Sequence, residues 1–290
     1  MSDQRVRTVL SIAGSDSGGG AGIQADLKAF ARCGVHGATA ITALTAQNTL
    51  GVIGVHAVPG SFIVEQVRAV AEDITIDAVK IGMLGTEVIV EAVETALDLL
   101  ADEVPVVLDP VMVAESGAVL LDESARSAVV ERMLPRATVI TPNMPEARVL
   151  ADTSAGSASA DTARRQGEEG DEEVERLARR LHALGPRAVV ITGGHREELV
   201  DVFFDGETLE RISGERHPEG SAHGSGCTHS SVLAAHLALG LSPLEAARQA
   251  KKIASAAVRD GLRDIGAGAG PADVFGLASV QAHAHAAAAP

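Results

Sequence analysis

The chain has no tryptophan, no tyrosine and only five phenylalanines among its 290 residues. A flat ring bound by such a protein must lie against phenylalanine, histidine, methionine or peptide planes, not in a tyrosine or tryptophan sandwich. Cysteine is almost as scarce. Cys33 and Cys227 are the only two, which leaves neither a disulfide framework nor a zinc quartet. Positive charge is short as well: formal net charge is −15, which argues against a nucleic-acid partner and fits an acidic solvated surface. No apolar run approaches the roughly 18 residues of a membrane span. Met1-Ser2-Asp3-Gln4-Arg5 lacks the basic start and long apolar stretch of a signal peptide. We therefore expect a cytoplasmic protein with no membrane and no nucleic-acid partner. The commonest nucleotide loops are also missing. No Gly-Lys-Ser/Thr follows the glycine-rich run at 14–22, and its glycines miss the G-x-G-x-x-G spacing.

What is present is 46% hydrophobic residues, enough for a substantial core. Val6 to Ala13 reads as a strand, followed by the glycine-rich loop and a helix from Gly22 to Cys33. Ala38 to Leu44 is a second apolar run, Val52 to Ala57 a short strand, and Ser61 an N-cap for a helix to Glu72. Ala78 to Ile81, Val104 to Leu108, Ala137 to Ile140 and Ala188 to Ile191 are nearly continuous apolar runs, as in parallel strands buried on both faces. Helical patterns intervene near 86–101, 122–133, 144–151 and 171–184. The alternation predicts an α/β fold, an open sheet with helices on both sides. Val200 to Phe204 and Thr208 to Ile212 flank Asp205-Gly206, a hairpin signal, so an antiparallel addition is expected late in the chain. One domain over 1–278 is expected, with 153–170 a mobile surface loop and 279–290 a disordered tail.

Several runs end in small or polar residues, and ligands of open α/β sheets bind beyond the carboxyl ends of strands. One sheet edge should therefore gather Asp16, Asp109, Asn143 and several glycines. His223-Gly224-Ser225-Gly226-Cys227-Thr228 precedes an apolar run from Ser230 to Leu239 that reads as a helix. Unpaired N–H groups and the helix dipole suit a phosphate or developing anion there. A thiol at that place tends toward a lowered pKa. The stretch by itself fits either phosphoryl chemistry or a plain helix start with an inert cysteine. The glycines of 14–22 permit close backbone approach to a ligand and a loop that shuts over it. Asn143-Met144-Pro145-Glu146 opens a helix just past a strand. Glu146 suits a water-bridged Mg²⁺ carried by ATP, and Asp109 is placed to share that work.

Ala13-Gly14-Ser15-Asp16-Ser17-Gly18-Gly19-Gly20-Ala21-Gly22-Ile23-Gln24-Ala25-Asp26 resembles the N-terminal signature of the hydroxymethylpyrimidine/phosphomethylpyrimidine kinases of thiamine biosynthesis. Ile41 to Thr49, Lys80 to Leu84, Leu108 to Met112, Thr141 to Ala147 and His223 to Thr228 match further blocks, in order, across residues 8–275. The resemblance implies a ribokinase-like fold, a three-layer αβα sandwich with a mostly parallel central sheet, and a homodimer. It implies two successive ATP-dependent phosphorylations of 4-amino-5-hydroxymethyl-2-methylpyrimidine, to the monophosphate and then the diphosphate. Gln47 matches the pyrimidine-binding glutamine, whose amide donates and accepts at once. Gly14, Asp26, Thr45 and Met83 fall where the family lines the same pocket, and His223, which adjoins the anion cradle, is expected to touch substrate. Asn143 and Glu146 match the Mg–ATP motif. The N–H groups of Gly224, Ser225, Gly226 and Cys227 would stabilise the transferring phosphoryl group. Cys227 would take the hydroxymethyl proton.

The chain departs from that pattern at three places. Ser225 and Ala222 each stand where the family often has threonine. Thr192 stands before Gly193-Gly194, where many members place a lysine that can contact nucleotide phosphate. Lys251 or Lys252 would then have to meet that charge. His36, His56, His182, His195, His217, His229 and His236 are expected to be structural. The nearest rival reading is a pyridoxine or pyridoxal kinase on the same scaffold. A non-catalytic pyrimidine-binding protein is the rival from another class.

Overall fold

The computed structural model describes residues 5–114, 117–154, 170–193 and 199–281. β1 (Thr8–Ser15) leads through the glycine-rich loop to α1 (Gly22–Arg32), β2 (His36–Asn48), β3 (Gly51–Ala57), α2 (Gly60–Ala71), β4 (Ala78–Ile81), α3 (Glu87–Leu97) and β5 (Val106–Leu108). Then follow α4 (Glu123–Ala128), β6 (Val139–Ile140), α5 (Met144–Thr153), α6 (Asp171–His182), β7 (Ala188–Ile191), β8 (Val200–Phe204), β9 (Leu209–Ser213), α7 (Ser225–Ala238) and α8 (Pro243–Arg259).

These strands form one sheet in the order β3-β2-β1-β4-β5-β6-β7-β8-β9. From β2 to β7 all pairings are parallel. The expected hairpin β8–β9 adds antiparallel at one end. A second antiparallel strand, β3, pairs with β2 at the other end; it is the short strand expected over 52–57, whose direction the sequence pattern did not reveal. The inner strands alternate their side chains between two apolar layers, as a period of two requires. Leu10, Val79, Leu108, Ile140 and Val189 join one core with Val90, Leu134 and Leu150 of the helical segments on that side. Val9, Ala78, Val107, Val139 and Val190 face the other, against α1, α7 and α8. The result is the three-layer αβα sandwich. Strand order reverses direction at β1, with β2 on one side and β4 on the other, so a crevice opens beyond the carboxyl ends of these strands.

Local differences have local causes. α2 begins at Gly60 with Pro59 as N-cap, and Ser61 lies inside the helix instead of capping it. The helical pattern at 122–133 becomes α4, a π turn at Val129–Met133 and a 3₁₀ turn at Leu134–Arg136, where Pro135 ends regular winding. α7 starts at Ser225, five residues before the apolar run. Thr153 closes α5 and Gly170 caps α6, while the expected mobile loop between them falls on 155–169, outside the described residues. Residues 277–281 are helical, so the first three residues of the expected disordered tail, 279–281, belong to a helix; His283 and His285 lie outside the described residues.

Candidate active site

A cavity of about 530 Å³ lies over the strand ends. Gly14, Thr45, Gln47 and Met83 line it on the β2–β1–β4 side, and Thr192, Asp201, His217 and Lys251 on the β7–β8 side. The first turn of α7 lies between them. Ser230, one turn in, donates to Asp109 Oδ2 at the end of β5 (2.9 Å).

That first turn is the glycine-rich cradle itself. Gly224 is the N-cap at φ +78°. A Cβ on it would stand 1.8 Å from the Gly20 carbonyl oxygen, so only glycine fits, by conformation and by space. The Ser225 N–H donates to Ala222 O (2.9 Å) and the Thr228 N–H to Gly224 O (2.9 Å). Among the described residues nothing accepts from the N–H groups of Gly226 and Cys227. A Cβ at Gly226 would meet no atom within 4 Å. Two orphan donors at a helix N-terminus, opening on a cavity, form an anion socket.

Cys227 is half-buried in this turn, and its thiol departs from expectation. Burial pushes it up to about 12; the Lys80 ammonium and the Gly22 N–H pull it down, and the charges of Asp109 and Asp26 add to the rise. The helix end does not bring it down, because burial first, and the two nearby carboxylates after it, outweigh what favours the thiolate.

Lys80 was not among the expected site residues. It is fully buried in β4 and reaches the cavity floor. Its Nζ lies 2.9 Å from Asp26 Oδ1 and 4.0 Å from Asp109 Oδ2, and the carboxylates hold it charged despite burial. A lysine between Val79 and Ile81 in a strand buried on both faces is a signal readable in the sequence, since an interior cation needs built partners. Asp26 corrects the expectation in the opposite sense. It does not line the cavity. It is fully buried and takes Lys80 Nζ, Ser11 Oγ (2.6 Å) and Ser231 Oγ (2.7 Å), so it holds Lys80 from beneath.

The remaining expected residues do reach the cavity. A Cβ on Gly14 would come within 2.6 Å of Met83 Cε, so that glycine lets the methionine lie flat on the backbone. Thr45 Oγ1 donates to Ser15 O (2.8 Å) and stands 3.3 Å from Gln47 Oε1, leaving the Gln47 amide NH₂ without a partner among the described residues. Asn143 and Glu146 form a capping box at the start of α5. Glu146 accepts from the N–H groups of Asn143 (2.9 Å) and Met112 (3.3 Å). Even so, burial and the neighbouring Asp109 charge push it up to about 7. Burial likewise raises Asp109, against Lys80 and Ser230.

The glycine loop is pinned by hydrogen bonds. Asp16 accepts from the N–H groups of Gly18 (2.8 Å), Gly20 (2.9 Å) and Ala21 (2.8 Å), and Lys28 Nζ donates to Gly19 O (2.7 Å). On the far side, Asp201 Oδ1 accepts from Lys251 Nζ (2.7 Å) and from the Gly193 N–H (2.9 Å). His229 Nε2 lies 3.2 Å from Asp201 Oδ2 but out of hydrogen-bonding line. His217 and His229, expected to be purely structural, both stand on the cavity wall. Lys252 is exposed on α8 and does not line the cavity.

The chain is similar to known kinases over most of its length. The family model described as phosphomethylpyrimidine kinase matches residues 16–273. The hydroxymethylpyrimidine/phosphomethylpyrimidine kinase of Rhizobium meliloti is 44% identical over 270 residues, 92% of this chain and 96% of that one. A thiamine biosynthesis bifunctional protein of Geobacter sulfurreducens is 43% identical over 266 residues, and the chain spans about half, 51%, of its length. Among solved structures, the Bacillus subtilis pyridoxal kinase in complex with ADP superposes with TM-score 0.81 at 35% identity, covering 94% of this chain and 99% of that one. A phosphomethylpyrimidine kinase from Clostridium difficile gives TM-score 0.71 at 36% identity, covering 85% and 96%.

Proposed function

The chain belongs to the phosphomethylpyrimidine kinase family, and from that membership we propose how its residues divide the work. The protein is an ATP-dependent kinase of thiamine biosynthesis, acting on hydroxymethylpyrimidine and on its monophosphate. The observation that carries the residue assignment is the pair of unclaimed N–H groups at Gly226 and Cys227. They face the charge that develops on a phosphoryl group in transit, with Gly224 and Ser225 shaping the turn.

The pyrimidine lies on the β2–β1–β4 side, where the Gln47 amide meets the ring edge and Met83 and Gly14 give the ring a flat floor. Its hydroxymethyl group then points at the socket. Cys227 takes the proton from that hydroxyl in the first transfer. In the second, the attacking phosphate oxygen is already anionic and needs no base. ATP lies toward β7 and β8, with Thr192 and Asn143 beside its phosphates. Of the cations on the cavity wall, Lys80 is held by Asp26 and Arg216 is exposed at the rim. Lys251 is also paired, with Asp201 next to Gly193, but it lines the cavity on the β7–β8 side with Thr192, so it is the cation placed to meet the charge that position 192 leaves unmet.

Asp109 and Glu146 fit a magnesium ion. They are hard carboxylate ligands, both buried and both lining the cavity, and the charge of Asp109 adds to the rise that burial gives Glu146. Mg²⁺ held there with phosphate oxygens would neutralise negative charge on the nucleotide. The arm formed by β2 and β3 exposes Leu44, Leu50, Ile53 and Val55. Such a ribbon suits pairing with a second copy of the chain, as a homodimer.

The test is product mass analysis with ATP and Mg²⁺, offering the pyrimidine alcohol, its monophosphate and pyridoxal separately. The expected result is monophosphate and diphosphate from the pyrimidines at rates well above any product from pyridoxal. Preference for pyridoxal would move the assignment to the rival that shares the fold.

A further inference from the structure

We propose that Asp16 and His223 form a clasp that fixes the direction of the phosphoryl socket, which makes His223 a positioning residue for the transfer step. Asp16 ends β1, is 2% exposed, and its carboxylate is already met by three backbone N–H groups of the glycine loop. Its fourth partner is His223 Nε2, 3.1 Å from Oδ2 and 207 residues along the chain. Burial alone would raise this carboxyl, but the His223 bond and the Gly18 and Ala21 N–H groups hold it below the ordinary range. With four bonds in place, three of them on Oδ2, the carboxylate is committed to the glycine loop and to His223. Its work is to join two segments.

Those segments touch without side chains between them. A Cβ on Gly20 would stand 2.2 Å from His223 Cδ2, and one on Gly224 would stand 1.8 Å from Gly20 O. Behind His223, its carbonyl accepts the Ala272 N–H (3.0 Å), so the residue is held from both sides. Gly224 follows directly and turns the chain left-handed into α7. The aim of the Gly226 and Cys227 amides is therefore set by where His223 sits. Such donors act only if they are already oriented when charge develops, and a misplacement of about 1 Å costs on the order of 100-fold. The glycines at 20 and 224 thus serve close contact, not loop mobility. The same loop also holds the substrate arm, because Ser17 Oγ donates to Gln47 O (2.7 Å) and accepts from the Gln47 N–H (2.8 Å).

The inference rests on the socket reading, and the test separates the two. Steady-state rates are measured on the alcohol and on its monophosphate. His223→Leu is expected to lower kcat about 100-fold on both, with pyrimidine KM changed less than about threefold. His223→Gln, whose amide N–H can reach Asp16, is expected to retain at least about a tenth of wild-type kcat. Asp16→Asn is expected to slow both steps, and the double variant Asp16→Asn/His223→Leu to be no slower than the slower single, since one clasp can be broken only once. A rise in KM with kcat unchanged would mean that His223 touches substrate, and would overturn the clasp. So would fully additive losses. If His223→Leu does not fold, His223→Gln near wild-type kcat beside a slow Asp16→Asn supports the clasp, and Asp16→Asn at wild-type speed overturns it. Gly226→Ala, which leaves the clasp intact, reports on the socket alone.

Discussion

At Cys227 two demands on one thiol conflict. A proton acceptor must be a thiolate, yet burial pushes this group up to about 12. Below that value the thiolate fraction rises about tenfold per pH unit. The kcat/KM for the alcohol should therefore climb with that slope between about pH 6 and pH 9. The monophosphate, which needs no base, should show no such slope from this group. Cys227→Ala should remove the slope and slow the first transfer by about 100-fold or more, while the second changes only a few-fold. Equal losses on the two substrates would sink the base assignment. Glu146 carries a related conflict between function and stability. Its carboxyl rises from 4.5 unfolded to about 7 in the fold, so between these values the folded state binds more protons than the unfolded one. Stability of the ligand-free protein then falls as pH rises through that window, by about 3 kcal/mol in full. Glu146→Gln should unfold at higher urea than wild type at pH 8 and at nearly the same urea at pH 4, both without magnesium. A gap independent of pH would show that the carboxyl is not the cause.

At the scale of an element, α7 shows what a sequence pattern conveys and what it hides. The apolar run from Ser230 marked the helix, but hydrophobic pattern says nothing of the turn before it, whose residues are small and whose Gly226 and Cys227 N–H groups have no acceptor among the described residues. Motif order, not periodicity, pointed at Gly224 to Cys227. In the same way the short strands β4 to β7 were readable as buried runs, and Asn143 and Glu146 as a helix start. Lys80 and Asp26 were misjudged because their meeting depends on β4, α1 and α7 converging, a tertiary fact that no local window contains. Gly226 offers a test confined to this element. Its Cβ position is empty, and alanine is favoured over glycine in a helix by about 1 kcal/mol. Gly226→Ala should therefore fold with equal or higher stability. A helical Cβ leans toward the N-terminus, which here is the socket. The methyl group should cut kcat by about tenfold or more by crowding the phosphoryl group. A variant that is more stable and equally fast would mean that the transferred group passes elsewhere.

Across the whole molecule, the layered fold was legible because six strands run parallel and the inner ones, β1 and β4 to β7, are buried on both faces, a condition that writes itself into composition. β3 was read as a short strand over 52–57, but its antiparallel place at the sheet edge was not legible. It is an edge strand whose last five residues, 53–57, are all exposed, so it carries no inward face to give it a pattern. Ile53 is 81% exposed and Leu50 68%, beside an edge whose backbone groups are unpaired in one copy of the chain. A lone protein gains nothing from such a ribbon, and a stable pair of chains needs about 1,600 Å² of buried surface. The arm also carries Thr45 and Gln47 into the cavity, so whatever steadies it steadies the pyrimidine site. Sedimentation equilibrium of the wild type should then give a dimer at micromolar concentrations. Ile53→Lys, which places a charge where nothing in its own chain is packed, should give a folded monomer with an unchanged melting temperature. Its KM for the pyrimidine should rise several-fold while its affinity for ADP, bound on the β7–β8 side, stays as it was. A wild type that sediments as a monomer would remove the dimer, and a monomeric variant with unaltered KM would free the pyrimidine site from any dependence on it.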